Sequence, residues 1–180
     1  GITDGTNNFW GIGGVGGTYY LGFDASFVQV QNVFGNSRSM GLFNGNIYCS
    51  TASSPTGILK IDGMPTNAVT PTVLFNGSSG NYDMTVSPDG NLIYVADQRS
   101  LSSGGGILRY DFDSVNWVLT YTLQIGGQGT GTHGPRYLTA DFSGANPVIY
   151  TTSNDGTFDN NRILKVVDTG ASSTSTTLAY

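Results

Sequence analysis

Five residues of the chain carry side chains that could bind a ligand: Arg38, Tyr82, Asp97, His133 and Arg136. Arginine forms paired hydrogen bonds with carboxylates and other oxyanions, so Arg38 and Arg136 could hold an anion or a carboxylate-bearing sugar. The sequence favours a different interpretation, in which such residues pair with acids of the fold, Asp97 being a candidate partner. His133 is the only histidine. Because no nucleophile or further histidine accompanies it at a catalytic spacing, it is predicted to be a solvated loop residue.

A second kind of chemistry is offered by the segment SNDGTFDNN, residues 153–161. Asp155 and Asp159 supply hard carboxylate oxygens of the kind that Ca²⁺ binds. The segment lacks the acidic order and the closing glutamate of a calcium-binding loop, which favours a polar hairpin whose side chains cap their own backbone. We therefore predict no catalytic residue and no cofactor, with calcium at these two aspartates as the weaker alternative.

Composition restricts the classes of partner. The chain has 27 glycines, 12% aromatic and 11% charged residues, and a net charge of -5. So few cations argue against nucleic acid and against an anionic membrane surface. No apolar run is long enough to predict insertion into a membrane. The single cysteine, Cys49, lies in the apolar run GNIYCST and is predicted to be a core residue.

An internal repeat predicts the strands. Three segments, beginning at Arg38, Tyr82 and Arg136, each contain an apolar strand, a turn, a strand with Ile-Tyr, a polar loop, and a third strand with Ile-Leu before Lys or Arg. A fourth strand follows each. The matched positions recur at about fifty residues, and no helical periodicity accompanies them. The chain is therefore predicted to be all-β.

Turn signals divide the first two strands of each repeat. Asn44-Gly45 and Asp89-Gly90 are typical of tight hairpins, where residues that tolerate positive φ are needed. The same signal, Asp4-Gly5, stands close to the first residue. It aligns the start of the chain as a further repeat that lacks most of its first strand. We therefore expect a fragment of a longer protein, which an intact-mass comparison with the gene would test.

Antiparallel units of four strands and this length are typical of β-propeller blades, with a β-sandwich or a β-helix as alternatives. The sequence predicts about four blades, the first incomplete, over residues 1–35, 36–80, 81–127 and 128–180. Repeats this long are typical of larger rings, so we expect a portion of a ring of roughly six to eight blades. In such a ring the five ligand-binding candidates would share the face at the channel mouth.

Four motifs carry a resemblance to a known class of protein: VSPDGNLIYVAD, GGILRYDF, DFSGANPVIYTT and NRILKVVDTGASSTSTTLA. They resemble the β-propeller repeats of large, poorly characterised bacterial secreted or cell-surface proteins. The resemblance implies a propeller fold and a secreted or surface location, with any export signal outside this chain. It supplies no catalytic residues.

The function predicted from these observations is a non-catalytic binding or structural scaffold for adhesion or assembly. The expected partners are the remaining blades, from the same protein or another copy, and a glycan or surface protein as a further ligand. Two alternatives stay open. One is a carbohydrate-binding propeller that uses aromatic residues such as Trp10 and Trp117, although packing between blades is the favoured role of these rings. The other is a metal-dependent propeller hydrolase or lactonase.

Overall fold

The computed structural model describes residues 1–14, 16–22, 27–33, 35–125, 133–154 and 161–179. These residues form four antiparallel sheets of four strands each, in which consecutive strands are neighbours. The only helical element among them is a single 3-10 turn at Leu101–Ser103. The prediction of an all-β fold built from four-stranded units is confirmed, while closure into a propeller and the number of blades stay predictions.

The chain divides into two compact units, and the first, Gly1–Asn81, holds two of the sheets. Sheet 1 consists of β1 (Ile2–Thr3), β2 (Phe9–Gly13), β3 (Gly17–Leu21) and β4 (Phe27–Gln31). Sheet 2 consists of β5 (Ser37–Phe43), β6 (Asn46–Thr51), β7 (Gly57–Ile61) and β8 (Thr72–Asn76).

The second unit, Tyr82–Tyr180, holds the other two sheets, apart from the first residue of β9. Sheet 3 consists of β9 (Asn81–Val86), β10 (Leu92–Asp97), β11 (Gly106–Phe112) and β12 (Trp117–Leu123). Sheet 4 consists of β13 (Leu138–Asp141), β14 (Val148–Thr152), β15 (Ile163–Val167) and β16 (Ser175–Ala179).

Local sequence explains where the strands turn and begin. Asn44 and Gly45 have φ values of 52° and 72°, as a tight hairpin between β5 and β6 requires. Gly57 starts β7 with a φ of 140°, and a Cβ there would lie 2.0 Å from the carbonyl oxygen of Phe75. Only glycine permits that close approach of β7 to β8.

Each unit has its own apolar core, formed where one face of a sheet packs against the next sheet. In the first unit, sheets 1 and 2 bury a cluster consisting of Trp10, Val30, Ile47, Cys49, Leu59 and Ile61. In the second unit, sheets 3 and 4 bury a cluster consisting of Tyr94, Ala96, Ile107, Leu123, Ile125, Leu138, Ile149 and Val166. Successive side chains of a strand point to opposite faces of its sheet, so those that face one of these cores alternate with side chains that face the opposite side.

Candidate functional site

An arginine and two tyrosines form an exposed cluster in the second unit, which we call the arginine-tyrosine cluster: Arg136, Tyr82 and Tyr137. The Cζ atom of Arg136 lies 5.4 Å from the ring centroid of Tyr82, and its Nε donates a hydrogen bond of 3.0 Å to Oε1 of Gln98. Tyr82 meets the ring of Tyr137 edge-on, with centroids 5.8 Å apart. Among the described residues, the two terminal nitrogens of Arg136 have no hydrogen-bond acceptor. The cluster therefore offers a guanidinium edge beside an exposed aromatic ring.

His133 and Asp97 also lie in the second unit. The backbone of His133 forms isolated bridges with Ser100 and with Asn154, so it lies between the loops that precede β11 and β15. The carboxylate of Asp97 is fully buried and pairs with Arg99, at 2.7 Å from Oδ2 to Nη2. The sequence offered Asp97 as a partner for Arg136 but overlooked Arg99, which is only two residues away and reaches the same carboxylate.

The remaining predicted site residues are placed separately. Arg38 belongs to the first unit, where it lies on β5 and donates a hydrogen bond of 3.1 Å from Nε to Oδ1 of Asn36. The structure therefore brings Tyr82 and Arg136 into direct contact and describes Arg38 in a different unit. The two calcium candidates, Asp155 and Asp159, lie outside the described residues.

A buried carboxylate that sequence reasoning missed joins sheet 3 to sheet 4. Asp168 follows β15, and its side chain has no exposed surface. It accepts hydrogen bonds from the Tyr94 hydroxyl, the Tyr121 hydroxyl at 2.7 Å, Nη1 of Arg109 at 2.9 Å and the Gly170 backbone N–H at 3.0 Å. Four donors match the acceptor capacity of a carboxylate.

Charge balance in this buried group is completed within sheet 3. Arg109 also donates from Nε and Nη2 to Asp111, each at 2.9 Å, and its Cζ lies 5.4 Å from the centroid of the Tyr121 ring. The guanidinium thus bridges two carboxylates. A polar group of this kind, satisfied at every member, rigidifies a fold.

The pKa values follow from these contacts. Burial by itself would raise the pKa of Asp168, but the hydrogen bonds from Tyr94 and Tyr121 outweigh it and the net shift is downward. Burial, followed by the bond to Asp168, raises the pKa of Tyr121 to about 12. The bond to Asp111 is the largest cause that raises the pKa of Arg109. At neutral pH the carboxylate is therefore charged and the tyrosines are neutral donors, an arrangement that stabilises the fold and leaves no proton poised for transfer.

A similar contact joins sheet 1 to sheet 2. Trp10, for which the sequence favoured packing between blades over stacking on a sugar ring, is only 2% exposed. Its Nε1 donates a hydrogen bond of 2.8 Å to the backbone oxygen of Pro65, between β7 and β8. Its ring lies against that of Tyr20, with centroids 5.6 Å apart. Trp10 is therefore a core residue, which confirms the favoured prediction of packing between sheets, and the weaker alternative that its ring stacks on a sugar is wrong.

Apolar side chains remain exposed on two sheet faces. The sheet 4 outer face, defined by Tyr150, Ile163, Lys165, Val167 and Leu178, carries four residues that are at least one-third exposed and a half-buried lysine. The sheet 1 outer face is defined by Phe9, Leu21 and Phe27, which are 44%, 38% and 64% exposed. Adjacent exposed apolar side chains of this kind are candidate interaction surfaces.

The lone thiol is confirmed as a core residue, because Cys49 is fully buried in sheet 2. Burial raises its pKa to about 12, partly offset by a contact with the Thr18 hydroxyl. We expect the native protein to resist alkylation by iodoacetamide at neutral pH and to react fully once it unfolds, since the thiolate is the reacting species. Mass spectrometry of native and urea-treated samples measures this difference. Equal labelling rates in the two samples would contradict the buried position.

Neither a metal site nor a membrane helix is found in the described part of the chain. Its histidine, cysteine and aspartate side chains form no group of three or more that could hold a metal ion. No helix among the same residues has the length and apolar character needed to cross a membrane. Comparison with known proteins adds no further assignment, because no family model and no curated protein matches the chain.

Proposed function

We propose that the chain is a non-catalytic scaffold of β-propeller blades that binds further sheets of the same repeat, for assembly or adhesion. The observation that carries this proposal is the exposure of the sheet 1 and sheet 4 outer faces. Tyr150 is 36% exposed, whereas Trp10 and Tyr94, at the same repeat position, are 2% and 0% exposed beneath a neighbouring sheet. The resemblance to secreted and cell-surface proteins supports a location outside the cell.

The use of ionisable groups within the second unit also supports a structural role. Asp97 pairs with Arg99, and Asp168 binds Arg109 together with two tyrosines. In both cases a fully buried carboxylate is neutralised by an adjacent guanidinium. These groups stabilise the loops and sheets that carry them, which favours a rigid scaffold over a reactive site.

The proposal is tested by supplying the chain with one more sheet. A second copy of residues 36–80 is appended after Tyr180 and should pack on the sheet 4 outer face as sheet 2 packs on sheet 1. We expect hydroxyl-radical labelling of Tyr150 and Leu178 to fall severalfold and the unfolding temperature to rise. The physical reason is burial of apolar surface, at about 25 cal/mol for each Å² removed from water.

The matched control appends the same residues with Ile47→Asp in the added copy. Ile47 is fully buried in the face of sheet 2 that meets sheet 1, so a charge there should prevent docking. Unchanged labelling of Tyr150 with the unmodified extension would overturn the scaffold proposal.

A second candidate function is recognition of a carboxylate-bearing sugar at the arginine-tyrosine cluster. The observation that favours it is the geometry of Arg136, whose guanidinium is fixed by Tyr82 and Gln98 while its terminal nitrogens have no acceptor in the described residues. Tyr137, which is 54% exposed, supplies an adjacent aromatic ring. Guanidinium and aromatic groups together suit a uronic acid, since one binds the carboxylate and the other contacts the sugar ring.

An NMR titration with glucuronate measures this binding. We expect saturable shifts at Arg136 and Tyr137, and an affinity lowered by about tenfold or more in Arg136→Gln, because a charge-assisted hydrogen bond contributes roughly 1.5–3 kcal/mol. Glucose, which lacks the carboxylate, is the control ligand and should bind more weakly. Equal shifts with glucose and glucuronate would exclude recognition of the carboxylate.

A further inference from the structure

Contacts between neighbouring sheets follow one rule in both units. The donor is an aromatic residue of the second strand, Trp10 in sheet 1 and Tyr94 in sheet 3. The acceptor lies between the third and fourth strands of the following sheet, at Pro65 in sheet 2 and at Asp168 in sheet 4. In each donor sheet the aromatic residue is paired in register with a polar residue of the third strand, Trp10 with Tyr20 and Tyr94 with Arg109.

Sheet 4 contains an equivalent pair of donor residues, but this pair has no acceptor among the described residues. Tyr150 on β14 is in register with Lys165 on β15, as Tyr94 is with Arg109. Neither the Tyr150 hydroxyl nor the Lys165 ammonium group has a hydrogen-bond or ion-pair partner among the described residues. Next to this pair, an open groove of about 290 Å³ is lined by Tyr137, Leu138, Thr139, Tyr150, Thr151, Thr152 and Ile163.

The apolar part of the sheet 4 outer face is equally uncovered. Ile163 begins β15 and is 49% exposed, whereas Ile107, at the matching position of sheet 3, is fully buried under sheet 4. A face that combines aliphatic surface with a hydroxyl and a cation fits a partner with an aliphatic face and a nearby oxygen acceptor.

Sheet 1 also has an uncovered apolar face. Phe9 on β2 is 44% exposed, whereas Ile47 and Ile149, at the matching positions of sheets 2 and 4, are fully buried beneath the preceding sheet. Phe9 and Leu21 therefore stand where the other sheets receive a neighbour. One copy of the chain thus has an uncovered donor face and an uncovered receiving face.

We propose that the sheet 4 outer face of one copy binds the sheet 1 outer face of a second copy, head to tail. In this contact the Tyr150 hydroxyl and the Lys165 ammonium group become available to donate to the second copy. The proposal rests on the proposed scaffold function, because it treats the two faces as surfaces that receive sheets of this repeat. Since the two faces differ, the contact is heterologous and leads to closed rings or to open filaments.

Two single substitutions test the two faces one at a time. Ile163→Asp places a charge on the sheet 4 outer face, and Phe9→Asp does the same on the sheet 1 outer face. Both residues are more than two-fifths exposed, so each variant should fold. The control is Val115→Asp, at a residue that is 77% exposed in the hairpin between β11 and β12. Circular dichroism checks the fold of each variant, and sedimentation velocity over a range of concentrations gives the size of the assemblies.

We expect the unmodified chain and Val115→Asp to form concentration-dependent assemblies, and Ile163→Asp and Phe9→Asp each to be monomeric. An equimolar mixture of the last two should form dimers and nothing larger, because it contains one intact pair of faces. A monomeric unmodified chain would overturn the proposal, as would dimers of Phe9→Asp alone, which would indicate contact between two sheet 4 faces.

A milder variant tests the polar part of the contact without disturbing the sheet. Tyr150→Phe keeps the ring and removes only the hydroxyl, and it should weaken the association by about twofold to tenfold, as the loss of one hydrogen bond does. Unchanged association would show that the hydroxyl takes no part. If the unmodified chain is monomeric but the appended sheet still protects Tyr150 from labelling, the second-copy proposal is wrong and the scaffold function is retained. If the chain is monomeric and the appended sheet gives no protection, both proposals are wrong.

Discussion

Replacing Asp168 by alanine should lower the free energy of unfolding of the second unit by about 3–5 kcal/mol, the typical cost of removing one partner from a buried ion pair. The side chain of Asp168 is fully buried, and that of Arg109 is only 24% exposed. The substitution removes the acceptor of the Tyr94 and Tyr121 hydroxyls and the carboxylate that pairs with Nη1 of Arg109. The loss of unfolding free energy is measured by urea unfolding, monitored through hydrogen exchange in peptides from residues 82–179.

The matched control is Asp62→Ala in the first unit. Asp62 also follows a third strand and pairs with a basic residue, Lys60, at 2.8 Å, but its side chain is 79% exposed. An exposed pair of this kind contributes about 0–1 kcal/mol, so the control should be nearly neutral. Equal losses in the two variants would show that burial is not what makes the Asp168 contact strong.

The stabilising contribution of the Asp168 carboxylate should depend on pH with a defined sign. Hydrogen bonds in the folded state, acting against burial, lower the pKa of Asp168 below its unfolded value of about 3.9. Its contribution to stability is therefore complete above a pH of about 4 and is lost as the pH falls through the lower, folded pKa. The difference in stability between the unmodified chain and Asp168→Asn should shrink in acid. A constant difference from neutral to acidic pH would contradict the role of ionisation.

Local sequence signals predicted the hairpins and strands because the physical causes are local. Asn44-Gly45 between two apolar segments favours a tight turn with positive φ, and a short apolar run such as NIYCST beside that turn indicates a buried strand. The internal repeat also identified Tyr94 and Tyr150 as equivalent positions, because the spacing of the repeats is enough to align them. These signals were sufficient for an all-β chain of four-stranded units.

The contacts between sheets could not be predicted in the same way. Tyr94 and Asp168 are 74 residues apart, and only the stacking of sheet 3 on sheet 4 brings them together. Asp168 also stands one residue later than the repeat would place the equivalent of Asp111, so spacing alone gave no signal. Arg99 was missed for a simpler reason, since its partner Asp97 was assigned to more distant arginines. For Trp10 the sequence favoured packing between sheets, but an aromatic residue in a strand carries no mark of its future neighbours, so Tyr20 and Pro65 could not be named.

Trp10→Ala should destabilise the first unit by about 3–5 kcal/mol, because a large buried side chain leaves a cavity that the surrounding sheets fill only in part. Trp10 is 2% exposed, contacts Tyr20 and donates to the Pro65 carbonyl. Trp10→Phe, which keeps a ring but loses the donor, should cost less.

The control, Trp117→Ala, removes the half-buried second tryptophan, which packs on Phe112 at a centroid distance of 5.4 Å. Hydrogen exchange in residues 1–81 should accelerate in Trp10→Ala and stay unchanged in Trp117→Ala, because each tryptophan belongs to a different unit. Acceleration of both halves of the chain by either variant would instead indicate that the two units unfold as one.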